Sequence, residues 1–443
     1  MNNKKIFGWS IIVSLGGFLF GFDTAVISGA EQAIQKYWQL TPVEHGFTVS
    51  IALIGTILGA LVGSIPSDRF GRKTTLIMIA VLYLLSSLGT ALAGNWYLFL
   101  IFRFLGGIGV GASSVTAPVY IAEIAPANMR GRLVAMFQFN IVLGILISYF
   151  SNYLIGAAGE SSWRWMLGVQ TIPSLVFLIL LRFVPESPRW LFLKRNNVDE
   201  ARRILHIINP GTSEEVLESI RTNDLEEKAS GNTDQLFTKS NRFPIFLAML
   251  FAMFNQVSGI NAIIYYSPRI FEMTGLGRSS SLLSTVGIGA VNLVFTLLAI
   301  NFIDKVGRKV LMLIGSIGLI VTLGLVAYTF YSENFGGISI TIYLLVYIAF
   351  FAFSQGAVIW VFISEIFPNQ VRAKGQTLGS LTHWVLAALI AFSFPVITEK
   401  IGGGNTFLFF AIMMVIQLIF VIKVMPETKG RSLEQIEKSL VLH

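Results

Sequence analysis

The feature that most constrains the fold is a series of long apolar segments that recurs along the whole chain. A helix needs about 20 apolar residues to cross a bilayer, and twelve stretches of the 443-residue sequence reach this length. Only 13% of the residues are charged, against about 25% in soluble domains. We therefore predict an all-α polytopic membrane protein of twelve transmembrane helices, at about 6–30, 46–67, 75–94, 97–120, 133–156, 164–185, 244–271, 280–303, 310–330, 338–363, 374–397 and 404–424.

A polar stretch divides the apolar segments into two sets of six. Residues 186–243 hold many of the charges and two helix-like pieces, Asp199–Ile208 and Ser213–Lys228. This pattern predicts two six-helix halves and a small cytoplasmic helical domain. The predicted domains are an N-terminal six-helix bundle (1–185), a cytoplasmic helical linker domain (186–243, with a flexible end at 229–242), a C-terminal six-helix bundle (244–425) and a cytoplasmic tail (426–443).

The distribution of positive charge predicts the orientation in the membrane. Most of the 32 lysine and arginine residues fall in segments that face the cytoplasm if the N-terminus is inside, which agrees with the positive-inside rule. Both termini are then cytoplasmic, in the inner membrane, and the net charge of +8 lies beside anionic lipid. A nucleic-acid surface needs a basic patch with base-reading aromatic residues, and none is apparent. The absence of cysteine excludes disulfides and thiol chemistry.

The two halves share charged landmarks in the same order and at nearly the same spacing. Asp68–Lys73 reads DRFGRK after the second segment, and Asp304–Lys309 reads DKVGRK after the eighth. Three landmarks of this kind indicate a duplicated six-helix unit, which is a transporter architecture with a central site. The other two landmarks are a glutamate followed by an arginine, and a Pro-Glu-Ser or Pro-Glu-Thr triplet: Glu123 with Arg130, Glu365 with Arg372, Pro185–Ser187 and Pro426–Thr428.

Asp23 is a carboxylate inside the first apolar segment. No other charge lies between Lys5 and Glu31, and a carboxylate at membrane depth costs about 2.5 kcal/mol or more. Arg103, near the start of the fourth segment, is a candidate partner. Burial favours a protonated carboxyl and a neighbouring arginine favours an ionised one, so a group that alternates between these surroundings can carry a proton. The residues leave two readings open, a static ion pair and a proton-coupling site.

Polar and aromatic side chains interrupt several apolar segments. Such side chains suit a sugar, because amides form hydrogen bonds with its hydroxyl groups and aromatic side chains pack on its ring. The alternative is that the amides form hydrogen bonds between helices. Gln256 and Asn261 are separated by Ser258-Gly259, which predicts a helix break that brings both to a cavity. The candidate binding residues are Gln138 and Asn140 in the fifth segment, Asn255, Gln256 and Asn261 in the seventh, Asn292 in the eighth, Gln355 and Trp360 in the tenth, and His383 and Trp384 in the eleventh.

No set of residues indicates an enzyme or an ATP-driven pump. We find no nucleophile–base set, metal cluster or cofactor motif, so we expect neither metal nor cofactor. Gly107–Gly111 has the glycine spacing of a nucleotide-binding loop, but that fingerprint needs a preceding strand. Within an apolar segment these glycines predict close helix packing instead.

Six motifs together resemble the sugar porter family of the major facilitator superfamily, over essentially the whole chain. The resemblance includes proton-coupled bacterial members and the facilitative glucose transporters of animals. It implies that Asp23 and Arg103 lie on adjacent helices, and it favours proton coupling because symporters carry Asp at this position whereas animal uniporters carry Asn. The motifs are DRFGRK, DKVGRK, Arg103–Gly111 (RFLGGIGVG), Pro185–Trp190 (PESPRW), Asn255–Ala262 (NQVSGINA) with Tyr265-Tyr266, and Pro426–Gly430 (PETKG).

The resemblance also implies which residues contact the sugar. Five residues match sugar contacts of the family: Gln138, Gln256, Asn261, Asn292 and Trp384. Trp360 matches a tryptophan that lies near these contacts. Three positions depart from the pattern and leave the particular sugar open. Asn255 stands where many members have Gln, Gln355 where a proton-coupled member has a sugar-facing Trp, and His383 where that member has Gln.

The charged loop residues form a cytoplasmic gate according to the same resemblance. Their ion pairs would hold the inner face closed when the cavity opens outward, with Glu186 as a bridge to the other half. Their strength would set the populations of the two states. The predicted gate residues are Asp68, Arg69, Arg72, Glu123, Arg130, Arg132 and Glu186 in the first half, and Asp304, Arg308, Glu365 and Arg372 in the second.

These observations predict a secondary active transporter. We expect a monosaccharide–proton symporter for a pentose or hexose that works by alternating access, with the proton coupled through Asp23 and Arg103. A facilitative uniporter on the same fold is the alternative, and a transporter-like sugar sensor is less favoured because the tail after Pro426 is short. The expected partners are a sugar, a proton and the lipid bilayer, and the expected functional form is a monomer.

Overall fold

The computed structural model describes residues 3–126, 129–157, 159, 161–208, 211–229, 235–333, 338–368 and 371–429. These residues form helices and no β-strand, which confirms the predicted all-α class. Most of the tail predicted at 426–443, and residues 230–234 of the predicted linker, lie outside the described residues.

Eleven α-helices and one short 3-10 turn precede residue 235 in the described chain. The last three α-helices of this set fall in the polar stretch where the sequence predicted helical pieces. The bounds are α1 Asn3–Trp38, α2 Pro42–Val62, α3 Ser64–Phe70, α4 Arg72–Leu92, α5 Trp96–Ile124, α6 Arg130–Ile155, α7 Ser162–Gly168, α8 Thr171–Leu180, the 3-10 turn Leu181–Phe183, α9 Pro188–Arg195, α10 Val198–Ile208 and α11 Ser213–Ala229.

Seven further helices make up the described part of the second half. The seventh apolar segment is divided between α12 and α13, and the tenth between α16 and α17. The bounds are α12 Arg242–Val257, α13 Ile260–Met273, α14 Arg278–Val306, α15 Arg308–Ser332, α16 Ser339–Phe353, α17 Gln355–Ile366 and α18 Arg372–Lys423.

Eleven of the described helical stretches are long and apolar enough to cross a bilayer. The last of them, α18, has 52 residues and a non-helical backbone at Gly402 (φ 81°, ψ 160°). At about 1.5 Å per residue, its length is more than twice the hydrocarbon thickness of about 30 Å. Each part on either side of Gly402 is long enough to be a span, and the predicted total of twelve depends on this division.

The break predicted at Ser258-Gly259 is present between α12 and α13. Gly259 has a φ of +85°, a conformation that favours glycine, and a Cβ there would meet the Phe410 ring at 2.6 Å. A second break lies at Ser354, between α16 and α17, with φ −118° and ψ −91°. The sequence did not predict the second break.

The described residues divide into two compact units. The first comprises the described parts of 1–24, 54–148 and 167–234, and the second those of 25–53, 149–166 and 235–429. The units divide α1, α2, α6 and α7: the later parts of α1 and α6 and the earlier parts of α2 and α7 belong to the second unit. For example, Tyr149 donates a hydrogen bond to the Ile264 carbonyl at 2.8 Å. The predicted boundaries of the six-helix bundles therefore remain a prediction.

Glycines bring α2 and α5 close together within the first unit. A Cβ on Gly59 would clash with the Ile108 carbonyl of α5, and one on Gly111 would clash with the Thr56 carbonyl of α2. Helices can approach this closely only where both surfaces carry small residues. The close packing predicted for Gly107–Gly111 is thereby confirmed.

Candidate functional site

Asp23 and Arg103 form a buried ion pair between α1 and α5 of the first unit. Arg103 Nη1 donates to Asp23 Oδ1 at 3.1 Å, and both side chains are about 2% exposed. Arg103 Nη2 lies 3.5 Å from the Asp23 backbone carbonyl, and the buried Nε has no hydrogen-bond partner among the described residues. A buried pair of this kind is costly to break because either charge alone would be left unpaired in an apolar interior.

Small residues let the neighbouring helices approach this pair. A Cβ on Gly16 of α1 would lie 2.7 Å from Ser113 Oγ of α5. A Cβ on Gly106 of α5 would clash with Ser86 of α4 and lie 3.5 Å from Asp23 Oδ1. Small residues on α1, α4 and α5 therefore allow these three helices to pack closely around the carboxylate.

The seventh span brings three amides together in the second unit. Gln256 Oε1 accepts a hydrogen bond from Asn261 Nδ2 at 2.6 Å, across the Gly259 break. Gln256 Nε2 donates to Asn255 Oδ1 at 2.9 Å, and it lies 3.1 and 3.3 Å from the two ring nitrogens of His383. We call Asn255, Gln256, Asn261 and His383 the amide cluster.

Aromatic rings border the amide cluster. The His383 ring lies between Trp360 of α17 and Trp384 of α18, with centroid distances of 5.0 and 4.9 Å. Trp360 is 36% exposed, whereas Gln256 is fully buried. The arrangement thus combines convergent polar groups with aromatic faces, as small-molecule sites do.

The structure does not bring Gln355 into the amide cluster. Gln355 Nε2 donates to Gln417 Oε1 at 2.8 Å and lies 3.3 Å from Met414 Sδ. Gln417 in turn donates to Ser316 Oγ at 2.7 Å. Because Gln355 is the first residue of α17, just after the Ser354 break, its side chain enters a network between α15, α17 and α18.

The three remaining candidates are half-buried and are divided between the two units. Asn292 of α14 lies in the second unit and has a long contact of 3.4 Å with Thr296. Gln138 of α6 lies in the first unit. Its neighbour Asn140 donates to Ser14 Oγ at 3.0 Å, which is a contact between helices.

The charged residues after the second span form a network within the first unit. Arg72 donates to both carboxylate oxygens of Glu123 at 3.1 Å and to Asp68 Oδ1 at 3.0 Å. Ser187 Oγ donates to Glu123 Oε2 at 2.5 Å. Glu186 accepts from the backbone N–H groups of Arg72 and Lys73 at the start of α4, where a negative charge is favourable. We call this set the first loop network.

The duplicated sequence builds the same bonds again in the second unit. Arg308 donates to Glu365 at 2.7 and 3.2 Å and contacts Asp304 at 3.0 Å. Glu427 accepts from the first N–H groups of α15, and Thr428 Oγ1 donates to Glu365 at 2.6 Å. We call this set the second loop network. The helices α4 and α15 both follow a glycine with φ +101°, Gly71 and Gly307, where a Cβ would clash with the carboxylate that accepts from the helix.

Comparisons with known proteins decide the family. The family model described as "Sugar (and other) transporter" matches residues 9–440. The chain belongs to this family. It is similar to the arabinose-proton symporter of Bacillus subtilis (strain 168), with 38% identity over 97% of this chain and 95% of that protein. The D-xylose-proton symporter of Escherichia coli (strain K12) is 36% identical over 98% of this chain and 96% of its own length.

A solved structure supports the same assignment for the fold. The inward open conformation of the xylose transporter XylE from E. coli matches with a TM-score of 0.86 and 35% identity, over 98% of this chain and 99% of that one. This sugar transporter is therefore a multi-pass membrane protein of the major facilitator fold, and it is not an enzyme.

Several predicted gate contacts of the sugar transporter differ from those found. Glu186 was expected to bridge to the other half, but its described bonds cap α4 and reach the neighbouring Ser187 within the same unit. The predicted pairs of Arg130 and Arg132 do not occur among the described residues, where both side chains are exposed. Arg372 Nε and Nη2 have no hydrogen-bond partner in that part of the chain, and Arg69 lies 5.3 Å from the Phe70 ring.

Two groups of residues were missed by the sequence analysis. Glu427 was recognised in a repeated triplet but not as the acceptor for α15, although the repeat with Glu186 was the available signal. Glu31, His45 and Arg269 form a buried cluster in the second unit. Their only sequence signal was that each is an ionisable side chain near the end of an apolar segment.

Proposed function

We propose that the protein is a monosaccharide–proton symporter of the cytoplasmic membrane that works by alternating access, with both termini in the cytoplasm. The observation that carries the proposal is the buried Asp23–Arg103 pair. Two similar proteins are named as proton symporters of the pentoses arabinose and xylose and two others as transporters of glucose, a hexose, which supports a pentose or a hexose as the substrate.

Asp23 is the group that we propose for proton binding. In its ionised form it pairs with Arg103 and holds α1 against α5. Protonation on a carboxylate oxygen removes the negative charge, so the Coulomb attraction between the helices is lost and only a weaker hydrogen bond remains. A carboxyl that is neutral in one state and paired in the other links proton uptake to the change of state.

The amide cluster is the proposed sugar site, with Trp360 and Trp384 as aromatic faces. Gln256 has both ends of its amide occupied, by Asn261 on one side and by Asn255 and His383 on the other. A sugar would therefore bind by replacing these bonds with bonds to its own hydroxyl groups. Gln138 and Asn292 remain proposed contacts on the basis of the family resemblance alone.

The two loop networks are the proposed cytoplasmic gate. Each holds an arginine of the DRFGRK or DKVGRK motif against a glutamate of the same unit. A conformational change that separates these residues has to break bidentate ion pairs, which are among the strong polar contacts. The strength of the networks therefore biases the equilibrium between inward and outward access.

Asp23→Asn tests the proposal, because asparagine keeps the size of the side chain and cannot release a proton. In vesicles with a proton gradient we expect uphill sugar accumulation and sugar-driven proton uptake to be lost, while exchange of labelled sugar across the membrane persists. Asp199→Asn is the matched control, since Asp199 is an aspartate with a 98% exposed side chain outside the spans.

Undiminished accumulation in Asp23→Asn would refute the coupling role of this residue. Sugar equilibration without external alkalinisation in the unmodified protein would instead identify a facilitative uniporter. A competition panel of pentoses and hexoses against labelled uptake identifies the substrate in the same vesicles.

A further inference from the structure

Three helices of the second unit meet at a buried cluster of charge. Glu31 of α1 accepts from Arg269 of α13 through both carboxylate oxygens, at 3.0 and 2.7 Å. Glu31 Oε2 also lies 2.6 Å from His45 Nε2 at the start of α2. Gln35, one turn after Glu31, accepts from Arg269 Nη2 at 2.6 Å. We call Glu31, Gln35, His45 and Arg269 the Glu31 cluster.

The contacts define the protonation pattern of the histidine. An ionised carboxylate can only accept hydrogen bonds, so His45 Nε2 carries the proton and donates to Glu31. The contact of 3.3 Å between His45 Nε2 and Arg269 Nη2 joins two donors and is not a hydrogen bond. His45 Nδ1 is buried and has no hydrogen-bond partner among the described residues.

The Glu31 cluster is buried rather than exposed on the surface. The side chains of Glu31 and His45 are fully buried, and that of Arg269 is 23% exposed. Below it along α1, one turn before Glu31, Ile27 is also fully buried. Residues four apart share one face of a helix, so we expect Ile27 to become exposed to water when the charged groups of the cluster separate.

The helix that carries Arg269 has an irregular backbone next to the Glu31 cluster. α13 follows the break at Gly259, and it has non-helical φ and ψ at Tyr266 with a proline at position 268. Sharp bends in helices occur at such residues. The Tyr266 ring contacts His45 at a centroid distance of 6.0 Å, so the irregular part of α13 and the Glu31 cluster touch.

We propose that the Glu31 cluster is a latch that closes the outer side of the transporter and opens once in every transport cycle. This inference rests on the proposed alternating access, and on the orientation that places the end of α1 outside. The bidentate ion pair ties α1 to α13, and the hydrogen bond from His45 ties α2 to the same carboxylate. Access from outside requires α13 to leave Glu31, so the pair opposes the outward-open state.

The absence of cysteine in the sequence allows a clean test. Ile27→Cys introduces a single thiol beneath the latch, and a membrane-impermeant maleimide added to the outside of intact cells reports its exposure. No sugar or proton gradient is needed, so the measurement is independent of the outcome for Asp23→Asn. We expect Glu31→Gln and Arg269→Gln each to raise the labelling rate about tenfold or more, which corresponds to about 1.4 kcal/mol.

Two further variants separate a latch from a fixed structural contact. Exchange of the charges, Glu31→Arg with Arg269→Glu, should return the labelling rate to within about threefold of the parent, because the attraction is restored. Arg202→Gln is the matched control, since Arg202 is in an ion pair with Glu214 outside the spans, and it should leave labelling unchanged.

Unchanged labelling in both single variants, at normal amounts in the membrane, would overturn the proposal. If the glutamine variants do not reach the membrane, Arg269→Lys and Gln35→Leu replace them, because each removes only some of the hydrogen bonds. A latch then requires a smaller but measurable rise in labelling, and an unchanged rate in both would overturn the proposal equally.

Discussion

At the scale of residues, two carboxylates inside spanning helices are bonded in different ways. Asp23 accepts one side-chain hydrogen bond from Arg103, whose Nε has no partner among the described residues. Glu31 accepts two from Arg269 and one from His45. Glu31 is therefore held by more hydrogen bonds than Asp23, which suits the proposed latch.

Two buried glutamines of the second unit, Gln256 and Gln355, should respond differently to truncation. We expect Gln256→Ala to raise the KM for sugar uptake about tenfold or more, because an amide–sugar bond and the support of Asn261 are lost; tenfold is about 1.4 kcal/mol. Gln355→Ala should leave KM within about twofold and lower the Tm, since it breaks the bond to Gln417 at a typical cost of about 1–3 kcal/mol. Uptake kinetics and thermal unfolding of both variants check this, and a larger effect of Gln355→Ala on KM would return Gln355 to the sugar site.

At the scale of elements, the sequence predicted which segments are helical, whereas a predicted neighbour such as the helix pair of Asp23 and Arg103 came from the family resemblance alone. The break at Ser258-Gly259 and the close packing at Gly111 followed from local sequence, because glycine conformation and small surfaces are local properties. The pair of Glu31 with Arg269 joins residues 238 positions apart, and Gln355 bonds Gln417 across 62. Such contacts depend on the packing of whole helices, which apolar periodicity does not encode.

The start of α4 should make stability depend on pH through Glu186. Burial raises the pKa of this carboxyl above its ordinary value of 4.5, although hydrogen bonds from Ser187, Lys73 and Arg72 oppose the shift. The folded state then binds the proton more tightly than the unfolded state, so stability is lost as pH rises from 4.5 through the native pKa. We expect the Tm of the parent, relative to Glu186→Gln, to fall over this window and to stay constant above it. A Tm difference that is flat from about pH 4 to 7 would contradict this.

At the scale of the whole molecule, the duplicated sequence produces duplicated chemistry. Each loop network contains an arginine, its glutamate partner, a hydroxyl on that glutamate and a second glutamate that caps a helix. The repeat and the family resemblance allowed the arginines of both networks and their glutamate partners to be predicted. The cap by Glu427, the saturated amide cluster and the Glu31 cluster required the structure, because each depends on side-chain directions between elements.

Because the two networks share no described residue, their contributions to stability should be additive. Glu123→Gln and Glu365→Gln each weaken one bidentate pair and should lower stability by about 1–3 kcal/mol. The double variant should lower it by the sum to within about 0.5 kcal/mol. Thermal unfolding of the three variants measures this, and a double variant no less stable than either single one would show that the networks act as one unit.

The saturated state of Gln256 has a consequence for the range of sugars. In a site whose amides have no protein partner, a substrate that lacks one hydroxyl binds much more weakly, because one buried amide is then left without a hydrogen bond. Here each amide already has a neighbour, Asn261 or Asn255, to which it can return. When a hydroxyl is missing or inverted, one amide–sugar hydrogen bond is not formed, but the amide keeps its hydrogen bond to the protein and no buried polar group is left unpaired. We expect the proposed sugar site to tolerate epimers and deoxy sugars, which would let one transporter supply a cell with several sugars.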